Sequence, residues 1–327
     1  MSETASDRGA SAPAGRRVAG ILRSRPVLTL AMVALVWIAA SLTSRGFGSY
    51  GHLRYLVELA AVIGIVAAGQ TFVMIAGGID LSVGAVITIS AVGVPLLSWP
   101  WDPGGTAGVA GILVISVAIG AVNGIGVAYL RVHPMIMTLA MATLLQGALI
   151  LVAGGSAVSV QSPAVVWLGN ARPFGVPAGI LLWLAVSAAT LWVLHATRFG
   201  ARLFALGANP LATLLSGVDV SATIVTVYAM SGLTAGLAGV LVLGMNGQGY
   251  VGIGDPYLLT SIAAVVLGGT SILGGAGTYA GTIPGAVMLV TITGLITVVN
   301  ASAGWRSILF GSLILGLLLL SGRESRR

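Results

Sequence analysis

The chain has 327 residues, of which 57% are hydrophobic and only 7% charged, with 48 glycines and a formal net charge of +7. An ordinary soluble domain carries roughly a quarter charged residues, so a water-soluble fold of this size is excluded and the bilayer is the expected solvent. All 15 basic residues are arginine, with no lysine and no cysteine, which excludes a standard phosphate-binding loop, whose lysine reaches the terminal phosphates, and also disulfides and thiolate metal sites.

Residues 1–26 are rich in Ser, Ala, Gly and Arg and are expected to form a disordered cytoplasmic tail. The apolar stretch after it has a long polar leader and no small-residue cleavage pattern, so it reads as an uncleaved first helix. Apolar runs and their Gly, Pro and polar breaks predict ten helices, at about 27–43, 54–77, 82–99, 106–130, 134–153, 177–196, 221–244, 257–270, 278–299 and 304–321. The fold class is therefore an all-α polytopic membrane bundle in one domain, 27–321, with a short tail at 322–327. An even number of spans puts both termini on one side. Eleven arginines lie on the termini and at Arg131, Arg198 and Arg202, against four at Arg45, Arg54, Arg172 and Arg306, and this bias makes the side of the termini cytoplasmic. That charge reads as orientation, not as a nucleic-acid surface.

Acidic residues away from the tails are few. Glu58 is expected near a helix start, where a carboxylate suits the positive end of the dipole, and Asp102 and Asp255 are expected to be solvated in outer loops. Asp80 differs, in the string Gly77-Gly78-Ile79-Asp80-Leu81-Ser82-Val83-Gly84. The glycines end one span, and Asp80 or Ser82 can accept from the first free amides of the next, so the segment reads as a helix break with a cap. Such a break is either a structural joint or part of a solute path. A second glycine block, Gly268, Gly269, Gly274 and Gly275, resembles it weakly, as a duplicated half would. Gln70, Asn123, Gln146 and Asn246 are polar residues within or beside spans that either meet solute or tie helices together, as does Asn300. The many other glycines, Gly232, Gly236, Gly239, Gly281 and Gly285 among them, are read mainly as close-packing positions.

The segment 197–219 is too polar and basic to span, yet keeps apolar residues at helical spacing, with Asn209 as a cap and Pro210 at a first helical position. It predicts a short amphipathic helix on the cytoplasmic face, either an ordinary connection or a docking element for a soluble partner. Three scattered histidines make no metal cluster, and no nucleophile, base and metal constellation supports a membrane enzyme.

These strings resemble the ribose-type family of ABC transporter permeases, the monosaccharide branch. The resemblance rests on Gly77 to Gly84, on Asn123-Gly124 followed by Arg131 to Leu139, on Arg198-Phe199-Gly200 through Ala205, Gly207, Asn209 and Ala212 to Gly217, and on Ile262 to Gly277. It covers about residues 50–320 and departs at His133, where a small or apolar residue is commoner, and at Ala201, where a second basic residue is common. It implies a permease subunit, without enzymatic activity or cofactor of its own, for a monosaccharide or sugar-like solute in the inner membrane. ATP and Mg are bound by a partner ATPase, a periplasmic or lipid-anchored binding protein delivers the solute, and a second permease copy, identical or paralogous, completes the membrane unit. By the same resemblance Arg198 to Gly217 is the coupling segment for the ATPase. Alternatives left open are a permease of this architecture for nucleosides or branched-chain amino acids, and a stand-alone secondary transporter or channel.

Overall fold

The structure is a computed structural model that describes residues 25–298 except 44, 45, 98–101 and 103, with 304, 305, 308, 311 and 312 beyond them. Most of the expected last span at 304–321, the C-terminal tail, nearly all of the N-terminal tail, Arg45, Asn300 and Arg306 lie outside the described residues.

In chain order the helices are α1 (Arg25–Thr43), α2 (Tyr50–Ile75), α3 (Val83–Leu97), α4 (Thr106–Ala128), α5 (Pro134–Ala153), α6 (Pro163–Asn170), α7 (Ala178–Ala196), α8 (Arg198–Ala208), α9 (Pro210–Leu215), α10 (Val220–Asn246), α11 (Asp255–Leu267) and α12 (Tyr279–Val298). Two short strands, β1 (Val158–Ser159) and β2 (Gln248–Gly249), pair antiparallel with Val158 opposite Gly249. Among the described residues six helices, α2, α4, α5, α7, α10 and most of α12, are long and apolar enough to cross a membrane. Each of the nine segments predicted as helices within the described residues forms a helix, and α1, α3 and α11 are the shorter apolar ones.

Two helices form the centre. α2 is buried at every residue from Ala60 to Ile75, and α10 packs against α2, α3, α4 and α6. An apolar helix covered on all sides belongs inside a bundle. The glycines of α10 and α4 let the backbones touch: a Cβ on Gly124 would lie 2.6 Å from Val225 Cα, and Cβ atoms on Gly120 and Gly232 would strike the carbonyls of Tyr228 and Ser116. Close approach through small residues is how helices associate where apolar burial gives no advantage over lipid. α5 is the peripheral helix, with Ile136, Leu144, Leu151 and Val152 exposed.

The connections divide between two ends of the bundle. At one end lie the turn after α2, residues 129–133, α8 with α9, and the turn after α11; at the other lie Gly104, β1, α6 and β2. The latter group is joined by Ser162 Oγ donating to Gly104 O (3.1 Å) and Val160 N–H to Gly247 O (2.9 Å). α6 and the strand pair were not anticipated, because eight residues of helix and two-residue strands leave no periodicity to read. α3 and α11, 15 and 13 residues long, rise only about 22 and 20 Å, short of the roughly 30 Å hydrocarbon layer. Two helices turn back on a neighbour, α2 into α3 and α11 into α12, and the first of these joints carries its buried residues inward, with Asp80 and Ser82 each 1% exposed while Gly77 and Leu273 stay at the surface.

Several expectations are corrected here. α2 starts at Tyr50, capped by Ser49, whose hydroxyl accepts from His52 N–H at 3.2 Å. Glu58 therefore sits in the third turn, away from the dipole end, and pairs with Arg54 four residues back at 3.5 Å. Asp102 lies in the loop before α4, as expected, and its carboxylate also accepts from Ala107 N–H (2.6 Å) and Thr106 Oγ1 (3.3 Å) at the start of that helix. Desolvation alone would raise the Asp102 carboxyl, but the amides of Ala107, Thr106 and Gly108 outweigh it and hold it below its ordinary value. Asp255 is exposed, as expected, but occupies the first position of α11. The segment 197–219 forms two short helices, α8 and α9, because Asn209 and Pro210 stop one and start the other; Asn209 Oδ1 accepts from Ala212 N–H at 3.0 Å, as its cap role requires.

Candidate functional site

The turn after α2 is built on a C-terminal glycine cap. Gly77 takes a φ of +84°, a conformation that disfavours a side chain. Gly78 N–H bonds to Val73 O and Gly77 N–H to Met74 O, both at 2.9 Å, the Schellman pattern. The chain then carries Asp80 into the interior, where it is 1% exposed. One carboxylate oxygen, Oδ1, accepts from Ser82 N–H (2.9 Å) and Ser82 Oγ (2.6 Å); the other accepts from Ser231 Oγ of α10 (2.7 Å). Ser82 Oγ in turn accepts from Asn123 Nδ2 of α4 at 2.9 Å. Gln70 of α2 holds the Asp80 backbone from the other side, Nε2 donating to its carbonyl (2.6 Å) and Oε1 facing its N–H (3.4 Å). Thr138 of α5 accepts from Leu81 N–H at 3.0 Å. The Asp80 turn thus ties α2, α4, α5 and α10 together. Asp80 caps the following turn through the Ser82 amide, whereas Ser82 acts as donor and relay.

Thr138, Ser231 and Tyr228 were not singled out from the sequence. Tyr228 OH is buried without a partner and stands where a Cβ on Gly78 would lie 2.6 Å away. Asn123 Oδ1 is also buried and unpartnered. No local signal marks a serine 151 residues from its carboxylate.

The turn after α11 repeats the first. Gly269 has φ +90°, with Gly269 N–H bonded to Val266 O (2.9 Å) and Thr270 N–H to Val265 O (3.2 Å). The expected duplication is therefore matched in cap geometry, with its register corrected by one residue: Gly77 corresponds to Gly269, not to Gly268. Gly268 instead lies flat against α12, where a Cβ would be 2.5 Å from Thr282 N.

α8 meets both turns. Gly207 is packed so that a Cβ would run into Ile75 O and Gly275 N, and a Cβ on Gly274 would lie 2.9 Å from Gly77 Cα. Gly275 N–H donates to Ile75 O at 2.9 Å. The buried face of α8 is Gly200, Leu203 and Leu206, with Thr197 capping it by accepting from Gly200 N–H at 3.2 Å. Its outer face carries Arg198, Ala201, Arg202, Ala205 and Ala208, with Phe199 half-buried, and α9 continues it with Leu211, Ala212, Leu214 and Leu215 exposed; Gly217 ends α9 at φ +80°.

The four polar residues weighed as solute contacts separate. Gln70 and Asn123 are fully buried in the Asp80 cluster. Gln146 is exposed on the outer face of α5, and Asn246 is exposed at the end of α10, its Nδ2 bonded to Val242 O at 2.8 Å. Gly84 lies against Gly254 O. A cleft of about 210 Å³ between α3, α4 and α5, lined by Ile89, Leu97, Ile112, Leu149 and neighbours, is wholly apolar and offers nothing to a hydroxyl.

The chain is similar to known proteins along most of its length. The family model described as branched-chain amino acid transport system / permease component matches residues 53–318. The ribose import permease protein RbsC of Escherichia coli (strain K12) is 34% identical over 300 residues, covering 90% of this chain and 92% of that protein. The L-arabinose transport system permease protein AraH of the same organism is 31% identical over 298 residues (89% and 88%), and its D-allose transport system permease protein AlsC 30% identical over 291 (88% and 89%).

Proposed function

This chain belongs to the family of branched-chain amino acid transport system permease components, and from that premise we propose that it is the membrane-spanning subunit of a sugar importer of the ABC type. The relatives are permeases for ribose, arabinose and allose, and the similarity runs over nine-tenths of the chain. A monosaccharide or a close analogue is the solute. The energy comes from a separate ATPase that holds ATP and Mg, since a lysine-free chain has no standard loop for the terminal phosphates. A periplasmic or lipid-anchored binding protein hands over the solute, and the unit sits in the inner membrane with both termini cytoplasmic.

The observation that carries this reading is the α8–α9 surface. Leu211, Leu214 and Leu215 are 66%, 56% and 80% exposed on a segment too basic to lie in lipid, beside Arg198 and Arg202. Exposed leucines rimmed by charge outside the bilayer are the signature of a protein interface, and the ATPase is the partner that needs one on this side. Gln146 fits the same scheme: a neutral amide on the lipid-facing side of α5 gains a use when a second permease copy, identical or paralogous, covers that face and the solute passes between them. Asn246 remains a candidate at the outer end. Gln70 and Asn123 serve to hold helices together.

The test is Leu211→Ser/Leu214→Ser in the purified complex in lipid, followed by ATP hydrolysis with and without loaded binding protein. Loss of the ATPase subunit on purification supports the docking surface. Unaltered assembly and stimulation would move the contact elsewhere, and hydrolysis-independent uptake by the parent chain would favour a stand-alone transporter.

A further inference from the structure

Three backbones meet at Gly207 with no side chain between them. Where its Cβ would stand, Gly207 meets both Ile75 O, the end of α2, and the Gly274–Gly275 peptide of the turn after α11. Gly275 bonds to Ile75, and a Cβ on Gly275 would lie 2.9 Å from both Ala208 Cα and Ala208 N. Gly77, Gly274 and Gly275 all have φ between +74° and +90°, a conformation open to glycine and strained for other residues, so glycine serves both the turns and the close contact of these segments. Ordinary packing between a surface helix and a bundle uses side chains, which can turn to a new rotamer and absorb a shift. Backbone against backbone cannot, and close-packed groups transmit displacement.

From this we infer that Gly207 is a positioning residue that passes movement of α8 to both glycine turns at once. The inference rests on the proposed function, in which α8 and α9 dock the ATPase. The onward path is physical at each step. The end of α2 leads into the Asp80 turn, which is bonded to α4 through Asn123, to α5 through Thr138 and to α10 through Ser231. The turn after α11 leads to α12 through the Gly268 contact with Thr282 and Gly281. α8 itself is held to α7 at its start, where a Cβ on Gly200 would strike Leu194 O, so it moves as a rigid arm and not as a loose strap. The structure is thus arranged so that one input reaches two equivalent glycine caps together.

The test uses the whole complex, permease with ATPase and binding protein, in proteoliposomes. Gly207→Ala is compared with Gly147→Ala, a helical glycine with open space around it. Expected for Gly207→Ala is an assembled complex whose stimulated hydrolysis stays within about twofold of the parent, while sugar uptake per ATP falls at least tenfold. Loss of stability alone would lower both together, so the ratio separates positioning from packing. An unchanged ratio overturns the inference while leaving the permease reading intact; a parent that takes up no sugar with ATP overturns the permease reading itself. A second measurement covers the case in which Gly207→Ala does not assemble. The chain has no cysteine, and Ala208 and Ala276 are both exposed, with Cα atoms within about 8 Å, since Gly275 lies between them. Cysteines placed at both and tethered by a short bifunctional methanethiosulfonate are expected to leave uptake active, because the junction moves as one piece. Uptake abolished by the tether and restored by its reduction overturns the inference.

Discussion

Replacing Asp80 by alanine removes the acceptor for three donors: the Ser82 amide, the Ser82 hydroxyl and the Ser231 hydroxyl, at 2.9, 2.6 and 2.7 Å. The amide cannot turn away, and a buried unsatisfied donor costs about 1–3 kcal/mol. The hydroxyls can rotate toward their own helix carbonyls and recover part of their bonding, so the expected total is roughly 2–5 kcal/mol. Asp80→Asn keeps one oxygen for Ser82 and presents its NH2 to Ser231, whose hydroxyl turns to accept; its expected cost is below about 1 kcal/mol, near one net hydrogen bond. Reversible unfolding of the two variants in mixed micelles, followed by far-UV circular dichroism, measures both. If alanine were no worse than asparagine, the turn would not depend on the carboxylate as an acceptor. If asparagine were as damaging as alanine, the negative charge and not the hydrogen-bond geometry would be the requirement.

Other outcomes follow from single contacts. Gly232→Ala drives a methyl into Ser116 O between α4 and α10 and is expected to destabilise by about 1–3 kcal/mol as an overpacked core, whereas Gly147→Ala, with open space, is neutral or stabilising by up to about 1 kcal/mol in the same unfolding assay. Gly78→Ala meets the Tyr228 hydroxyl at 2.6 Å; Tyr228→Phe removes that unpartnered oxygen, is expected to be tolerated alone, and recovers most of the loss in the double variant, measured as a double-mutant cycle. Asp102 has a lowered folded value, so its contribution is present above the unfolded carboxylate range near pH 3.8 and is lost as pH falls through the folded value. Carboxyl NMR of labelled protein is expected to place its titration below that of exposed carboxylates, and Asp102→Asn to abolish the acid-dependent part of α4 fraying.

The spans were legible because charge-poor runs in this chain are bounded by glycine, proline and arginine, and every described boundary falls within four residues of its expected place. The largest shift, at the start of α2, arises because Gly51, His52 and Arg54 look like a loop, while Ser49 caps them into a helix that the Arg54–Glu58 pair continues. The break between α8 and α9 was legible for the same local reason: Asn209-Pro210 is a cap followed by a first helical position. The Asp80 turn was legible as a break but not as a knot. Its partners lie at Gln70, Asn123, Thr138 and Ser231, on four helices, and nothing within ten residues of Asp80 tells that Ser231 faces it. The Gly207 junction was hidden further, since glycines carry no side-chain signature and their reason for being glycine is another backbone far away in sequence.

The acidic residues bear on how such a chain can be driven. Of eight in the sequence, three lie in the tails, and the remaining five are each engaged or solvated: Glu58 with Arg54, Asp80 with Ser82 and Ser231, Asp102 at the start of α4, Asp219 accepting from Ala222 N–H at 2.9 Å as the cap of α10, and Asp255 exposed at the start of α11. A proton-coupled transporter needs, and a sodium-coupled one usually has, an ionisable group in the membrane that binds and releases its ion at each turnover. Asp80 is the one carboxylate placed deeply enough, and its two oxygens are already taken by donors that hold four helices together, so freeing it each cycle would undo the bundle. The chain is therefore expected to take up sugar at a rate indifferent to imposed sodium or proton gradients and dependent on ATP inside proteoliposomes that contain the ATPase. Uptake driven by a sodium or proton gradient alone, and lost in Asp80→Asn, would place the coupling ion at Asp80 and refute this assignment.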